Sequence, residues 1–83
     1  MYEIIFDKKA LEQLNKLDRL IKERIWNKLQ VCKENPFRFL EALIEIEGFK
    51  LRVGDYRVII DIDYKNKVLK VIKVGHRRNV YEK

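Results

Sequence analysis

Between residues 50 and 81 the chain gathers the side chains able to do chemistry: Lys50, Arg52, Arg57, His76, Arg77, Arg78 and Tyr81. The residue types that are missing narrow the reaction. The chain has no serine, so a Ser/His/Asp triad cannot form, and it carries no P-loop, glycine-rich dinucleotide turn or nucleophile elbow. His76 is the one histidine and Cys32 the one cysteine, with no Cys/His cluster at zinc-ligand spacing. No metal site and no cofactor are expected. One reaction that suits lysine, arginine, histidine and tyrosine is metal-independent cleavage of RNA by its own ribose 2′-hydroxyl. That reaction needs a base for the 2′-hydroxyl proton, positive charge on the pentavalent phosphorane and an acid for the departing 5′-oxygen. Lysine or histidine can be the base where neighbouring cations lower its pKa. Arginine meets phosphate with paired N–H donors, and tyrosine stacks on a base or orients the phosphate.

Positioning these groups falls to residues 49–77, which read as three consecutive antiparallel strands. Gly54-Asp55 is a two-residue turn with glycine first, the pattern of a type II′ hairpin. Such a turn sets Val53 opposite Tyr56, Arg52 opposite Arg57, Leu51 opposite Val58, Lys50 opposite Ile59 and Phe49 opposite Ile60. Side chains alternate along a strand. Phe49, Leu51, Val53, Tyr56, Val58 and Ile60 therefore share a core face, and Lys50, Arg52 and Arg57 share the other. Arg52 across from Arg57 is a like-charge pair, which a fold does not need and a phosphate site does. On this reading Arg57 has no apolar packing, and its truncation leaves thermal stability unchanged or slightly raised. After a second turn at 63–67, Val68 to Val74 is apolar on both faces apart from its lysines, as a central strand is. Gly75 ends it and leaves His76 to Tyr81 at a strand end, where loops on a rigid frame carry function.

Charge is divided unevenly. Residues 1–48 hold nine Lys/Arg and nine Asp/Glu, whereas residues 49–83 hold ten and four, so the whole net charge of +6 belongs to the strands and the tail. That asymmetry favours a polyanionic partner, nucleic acid before anionic membrane. No apolar run reaches the length of a membrane span, the start is not a signal peptide, and a cytoplasmic protein is expected. Eighty-three residues make one domain, 1–83, with a hydrophobic fraction of 47% that supports a packed core.

The N-terminal half reads as a support. Residues 2–6 form a short strand, and Asp7 looks like an N-cap, with Phe6 and Leu11 placed for a hydrophobic staple. Helical spacing runs from 8 to 17 and, after a second cap at Asp18, from 19 to 34, where Ile21, Ile25, Leu29 and Cys32 form one stripe. The helix must stop before Pro36. Residues 42–47 read as the start of a strand continuing into Phe49, with Glu47 close enough to Lys50 to be considered as a base. The remaining strands are expected near 49–53, 56–63 and 67–75.

The order strand, helical hairpin, Leu51-Arg52-Val53-Gly54-Asp55-Tyr56-Arg57-Val58-Ile59, then Val74-Gly75-His76-Arg77-Arg78-Asn79-Val80-Tyr81 resembles the RelE family of toxins from toxin–antitoxin systems. The resemblance covers nearly the whole chain. It implies an α+β fold with a small antiparallel four-stranded sheet packed against the N-terminal helical hairpin. It also implies a ribosome-dependent endoribonuclease that cuts mRNA in the ribosomal A site and is held inactive by a RelB-type antitoxin. By position, Lys50 matches a lysine proposed as general base, Arg57 the arginine that stabilises the transition state, Arg77 a phosphate ligand or acid, and Tyr81 the tyrosine that orients the substrate. Arg52 and Arg78 fall beside these as RNA-binding neighbours.

Two positions depart from the better-known members. Gly48 stands where they carry a second lysine, and His76 stands where lysine often precedes the arginine matched by Arg77. Some relatives use histidine and glutamate as the acid/base pair, so Lys50, His76 and Glu47 all remain candidates for the base. The ParE branch shares the fold and inhibits DNA gyrase without being a nuclease. It generally lacks the full Lys50, Arg57, Arg77 and Tyr81 set. An inactive basic RNA-binding module is a third reading.

Overall fold

A computed structural model of the chain describes residues 1–80. The elements run β1 (Glu3–Phe6), α1 (Lys8–Asn15), α2 (Arg19–Cys32), α3 (Pro36–Phe39), β2 (Leu40–Ala42), β3 (Phe49–Val53), β4 (Tyr56–Asp63) and β5 (Val68–His76). One sheet carries all the strands in the order β1-β5-β4-β3-β2. The α+β architecture is the expected one. The sheet has five strands rather than four, and β1 pairs with β5 in parallel, from Glu3 opposite Val68 to Phe6 opposite Val71.

The fifth strand replaces the continuous run expected over 42–49. Leu40–Ala42 pairs antiparallel with Leu51 to Phe49, and the chain reverses between them. The Leu43 N–H donates to the Gly48 carbonyl at 3.0 Å, and Gly48 takes φ +119°. Only glycine adopts that backbone without strain. A Cβ there would lie 3.2 Å from Asp61 Oδ1, a side-chain tip that can shift, so it is the positive φ that would strain a lysine in this reversal.

The β3–β4 register is the one the turn dictates: Val53 pairs with Tyr56, Arg52 with Arg57, Leu51 with Val58, Lys50 with Ile59 and Phe49 with Ile60. Gly54 has φ +58°, as the first central residue of such a turn must. At the other end of β4, Asp63 accepts hydrogen bonds from the Asn66 backbone and side-chain N–H groups at 3.1 and 2.9 Å. Those bonds hold its carboxyl below the ordinary value.

The helices cover one face of the sheet. Ala10 and Leu14 of α1 and Ile25, Leu29 and Cys32 of α2 pack with Leu51, Val53, Val58, Ile60, Leu69, Val71 and Val74. Asp7, in extended backbone, and Asp18 sit at the N-cap positions, but neither carboxylate accepts a capping hydrogen bond. Leu11 is exposed and the Phe6 ring stacks against Trp26 at 6.3 Å, so the expected staple is not the main contact of Phe6. Pro36 opens α3, where its missing N–H leaves no bond unmade. Among the described residues no helix is long and apolar enough to cross a membrane.

Burial pushes the Cys32 thiol up from 9.0 to about 11, with the nearby Lys28 charge pulling the other way. The folded protein thus holds this proton more tightly than the unfolded chain does. The associated stability is complete below pH 9 and is lost as pH rises from there toward 11. At pH 8 a thiol-specific disulfide reagent should leave native Cys32 unmodified and label it at once in guanidinium. Rapid labelling of the native protein would contradict this account.

Candidate functional site

The sheet face away from the helices carries Lys50, Arg52, Arg57 and Ile59 by simple alternation from the hairpin register. Lys50 lies opposite Glu41 of β2, and its Nζ is 3.9 Å from Glu41 Oε2. Glu41, rather than Glu47, is therefore the carboxylate at Lys50. Glu47 stands exposed on the 43–48 reversal. Sequence alone conceals this pairing because it depends on the chain turning back at Gly48.

Arg57 departs from the open position expected for it. It is 7% exposed, and its Nη1 donates to the carbonyls of Gly54 and Tyr56, each at 2.8 Å. The guanidinium is folded back over its own turn. Arg52, directly across the ladder, stays exposed. The like-charge pair is relieved by sending the two side chains into different surroundings.

Strand β5 contains the feature that alternation could not reveal. Ile59 pairs with Lys73 but Ile60 pairs with Val71, so Ile72 is the extra residue of a β-bulge. A bulge reverses the in/out order of everything beyond it. Val71 and Val74 both face the helices as a result. Lys73 is brought beside Ile59 on the face of Lys50, and the Val74 N–H next to the bulge donates to Gln13 Oε1 of α1 at 2.9 Å. His76 goes the other way. It pairs with Tyr56, and the two rings meet edge to face at 5.5 Å on the core side of the sheet. Its Nδ1 accepts the Arg78 N–H at 3.2 Å, which leaves Nε2 to carry the proton of a neutral ring.

After β5 the chain turns back. The Asn79 and Val80 N–H groups both donate to the His76 carbonyl. Val80 is 2% exposed and lies against Gly75, where a Cβ would be 3.6 Å from the Val80 Cβ. Arg77 is tied to the hairpin turn: its N–H donates to the Asp55 carbonyl at 2.8 Å, and its Nη1 is 3.9 Å from Asp55 Oδ1. Arg78 is exposed beside it. Tyr81 lies outside the described residues.

Between the 43–48 reversal and this face lies a groove of about 670 Å³, with Ile44, Ile46, Ile59 and Val80 among its walls and Lys50 and Lys73 at its polar positions. Ile44 is 99% exposed at its lip. Apolar walls with a few charged groups are the usual build of a ligand cleft, and here those groups are Lys50, Lys73 and Glu45. The structure thus gathers Lys50, Arg52 and Lys73 on one face, sets Arg77 and Arg78 at its end, buries Arg57 under the turn and separates His76 from Lys50. Lys73 is the member that sequence reasoning missed. Among the described residues no three His, Cys, Asp or Glu side chains gather as metal ligands.

This architecture is that of known toxins. Residues 4–81 match the family described as the ParE toxin of type II toxin-antitoxin system, parDE, and the chain belongs to that family, within the RelE/ParE superfamily. It is 28% identical over 79 residues to an Escherichia coli protein described as RelE-like toxin, a match covering 92% of this chain and 83% of that protein. Its fold matches the RelBE2 toxin–antitoxin complex from Mycobacterium tuberculosis with a TM-score of 0.83 at 28% identity, over 92% of this chain and 98% of that one. The intact Escherichia coli RelBE complex gives a TM-score of 0.72 at 29% identity, over 92% and 96%. The archaeal RelE-RelB complex from Pyrococcus horikoshii shares the fold, with a TM-score of 0.76 at 23% identity over 95% and 98%. The protein is a toxin of a type II toxin–antitoxin system with a RelE-like fold.

Burial of Arg57 changes what its removal should do. Alanine leaves the Gly54 and Tyr56 carbonyls without their charged donor and empties a buried site. A hydrogen bond to a charged group contributes about 1.5–3 kcal/mol. Arg57→Ala should therefore lower the unfolding free energy by about that much, a fall in Tm on the order of 10 °C for a domain of this size. Urea and thermal unfolding of the variant measure this directly. An unchanged midpoint would restore the open, unpacked arginine.

Proposed function

We propose that this toxin is a metal-independent mRNA endoribonuclease that cuts transcripts in the ribosomal A site and so blocks translation. The observation that carries it is the open sheet face, where Lys50 and Lys73 flank an apolar groove and Arg52 stands alongside. Cations around a cleft with apolar walls fit a nucleotide, with phosphate on the charges and base on the walls. Identities of 28% and 29% to RelE-type toxins support a RelE-like over a ParE-like reading.

In this reading Lys50 takes the 2′-hydroxyl proton and the 2′-oxygen attacks phosphorus. The bond from phosphorus to the 5′-oxygen breaks, leaving a 2′,3′-cyclic phosphate and a 5′-hydroxyl. Arg77 holds the phosphate or supplies the proton to the 5′-oxygen, Arg52 and Arg78 contact neighbouring phosphates, and Tyr81 orients the substrate. Arg57 adds positive charge beneath the phosphorane and shapes the turn whose Asp55 holds Arg77. His76, on the core side, and Glu47, on the reversal, are the alternative bases. The relatives solved as RelBE complexes support a RelB-type antitoxin as partner, and cleavage on ribosomes would make the cytoplasm the site of action.

A second reading is a ParE-like toxin that inhibits DNA gyrase and cuts nothing. The description of the matched family favours it, and so does the engagement of Arg57 with its own turn.

The test incubates purified toxin with mRNA-programmed ribosomes, on natural and 2′-deoxy-substituted message, beside a gyrase supercoiling assay. Cleavage should leave a 2′,3′-cyclic phosphate and stop when the cleaved nucleotide is 2′-deoxy. Lys50→Ala should slow single-turnover cleavage by on the order of a hundredfold or more, with its unfolding midpoint close to wild type, because Lys50 is part-exposed. Cleavage at a 2′-deoxy nucleotide would remove the 2′-hydroxyl mechanism. Gyrase inhibition without cleavage would establish the second reading.

A further inference from the structure

A second groove lies around the edge of the sheet, between α2 and the β3–β4 hairpin. It has a volume of about 350 Å³ and is lined by Arg24, Asn27, Lys28 and Val31 of α2 with Arg52, Val53 and Gly54 of the hairpin. No carboxylate lines it. The two nearest in sequence are engaged elsewhere: Glu23 pairs with Arg19 at 3.3 Å and Asp55 with Arg77 at 3.9 Å. Among the described residues none of Arg24, Lys28 and Arg52 has an ion-pair partner.

The groove is fixed in place by the fold. Pairing of β2 to β3 stops at Leu51, so the outer edge of β3 is open from Arg52 onward. The absence of a side chain at Gly54 lets the Arg24 guanidinium come close: a Cβ there would lie 3.2 Å from Arg24 Nη2. Lys28 is steadied by the Phe39 ring, with its Nζ 5.2 Å from the centroid. Three cations gathered beside an open strand edge with no counter-charge repel one another, a cost to the fold. A bound anion relieves that repulsion.

We infer that this groove is a binding site for the phosphodiester backbone of RNA, separate from the reacting groups. Arg52 belongs both to the groove and to the basic sheet face. A strand lying on that face passes Arg52, rounds the open edge of β3 and meets Lys28 and Arg24 on α2. The groove then holds RNA next to the cleaved nucleotide and sets its direction across the sheet. This rests on the nuclease reading for the identity of the RNA, but the anion site stands on its own geometry.

The test measures binding of a fluorescent single-stranded 2′-O-methyl RNA, which resists 2′-hydroxyl attack, to the full chain across a range of salt. Each phosphate contact on a single strand contributes about 0.7 to the slope of log affinity against log salt. Arg24→Gln with Lys28→Gln should make the slope shallower by about 1.4. Between 50 and 200 mM salt, wild type should then lose about sevenfold more affinity than the variant. Arg24→Gln alone, which disturbs no ring contact, should make the slope shallower by about 0.7. Lys8→Gln with Lys9→Gln removes the same charge from exposed positions on α1 and should leave the slope at the wild-type value. An unchanged slope in the Arg24/Lys28 variant overturns the groove, and ribosomal cleavage by wild type would still stand. A shallower slope combined with no cleavage removes the nuclease reading and keeps the anion site. If the variant instead loses binding of a polyglutamate peptide while its RNA slope is unchanged, the groove takes an acidic protein segment and the inference fails.

Discussion

The period of two along a β-strand, started by a turn that only glycine makes cheaply, is the constraint on which this molecule depends. Gly54 at φ +58° closes β3 onto β4 in one register. From that register Leu51, Val53, Val58 and Ile60 must face the helices, and Lys50, Arg52, Arg57 and Ile59 must face away. A slip of one residue would bury the cations and expose the core, so the hydrophobic effect and the turn select the same pairing. The helices are then placed by the apolar face they cover, with Ile25, Leu29 and Cys32 of α2 fully buried against it.

One irregularity redirects the rest. The bulge at Ile72 keeps β5 in the ladder while exchanging its two faces. It lets Val71 and Val74 both reach the core, moves Lys73 to the basic face and carries His76 to the side of Tyr56. Gln13 of α1 takes up the Val74 N–H beside it, so helix packing and bulge support each other. A family resemblance built on sequence spacing puts His76, Arg77 and Tyr81 in one group. The fold puts His76 on the core side and Arg77 against the hairpin turn at Asp55.

Charge is arranged as deliberately as the apolar surface. The excess positive charge lies in the strands and tail, yet the cations do not simply crowd one face. Arg57 donates to turn carbonyls, Lys50 meets Glu41, Arg77 meets Asp55, and Arg52 opens toward Arg24 and Lys28. Three cations, Arg24, Lys28 and Arg52, are thereby gathered where the edge of β3 is uncovered. The same edge is available only because β2 is three residues long.

The sequence by itself determined the α+β class, the helical hairpin, the β3–β4 register and the sharing of a face by Lys50 and Arg52. These follow from local rules: apolar spacing, a glycine-first turn and side-chain alternation. Tertiary structure decided the rest. The fifth strand needed the reversal at Gly48, whose geometry depends on β3 already being in place. The parallel pairing of β1 follows from where the helices return the chain. The bulge at Ile72 reflects competition between two apolar faces of one strand, which no alternation pattern within β5 resolves. Arg57 became a buried residue because the nearest acceptors were the carbonyls of its own turn. For the fifth strand and the β1 pairing the deciding contact joins parts of the chain whose relative position is set only when the core is packed, whereas for Arg57 it is a local side-chain choice that alternation does not encode.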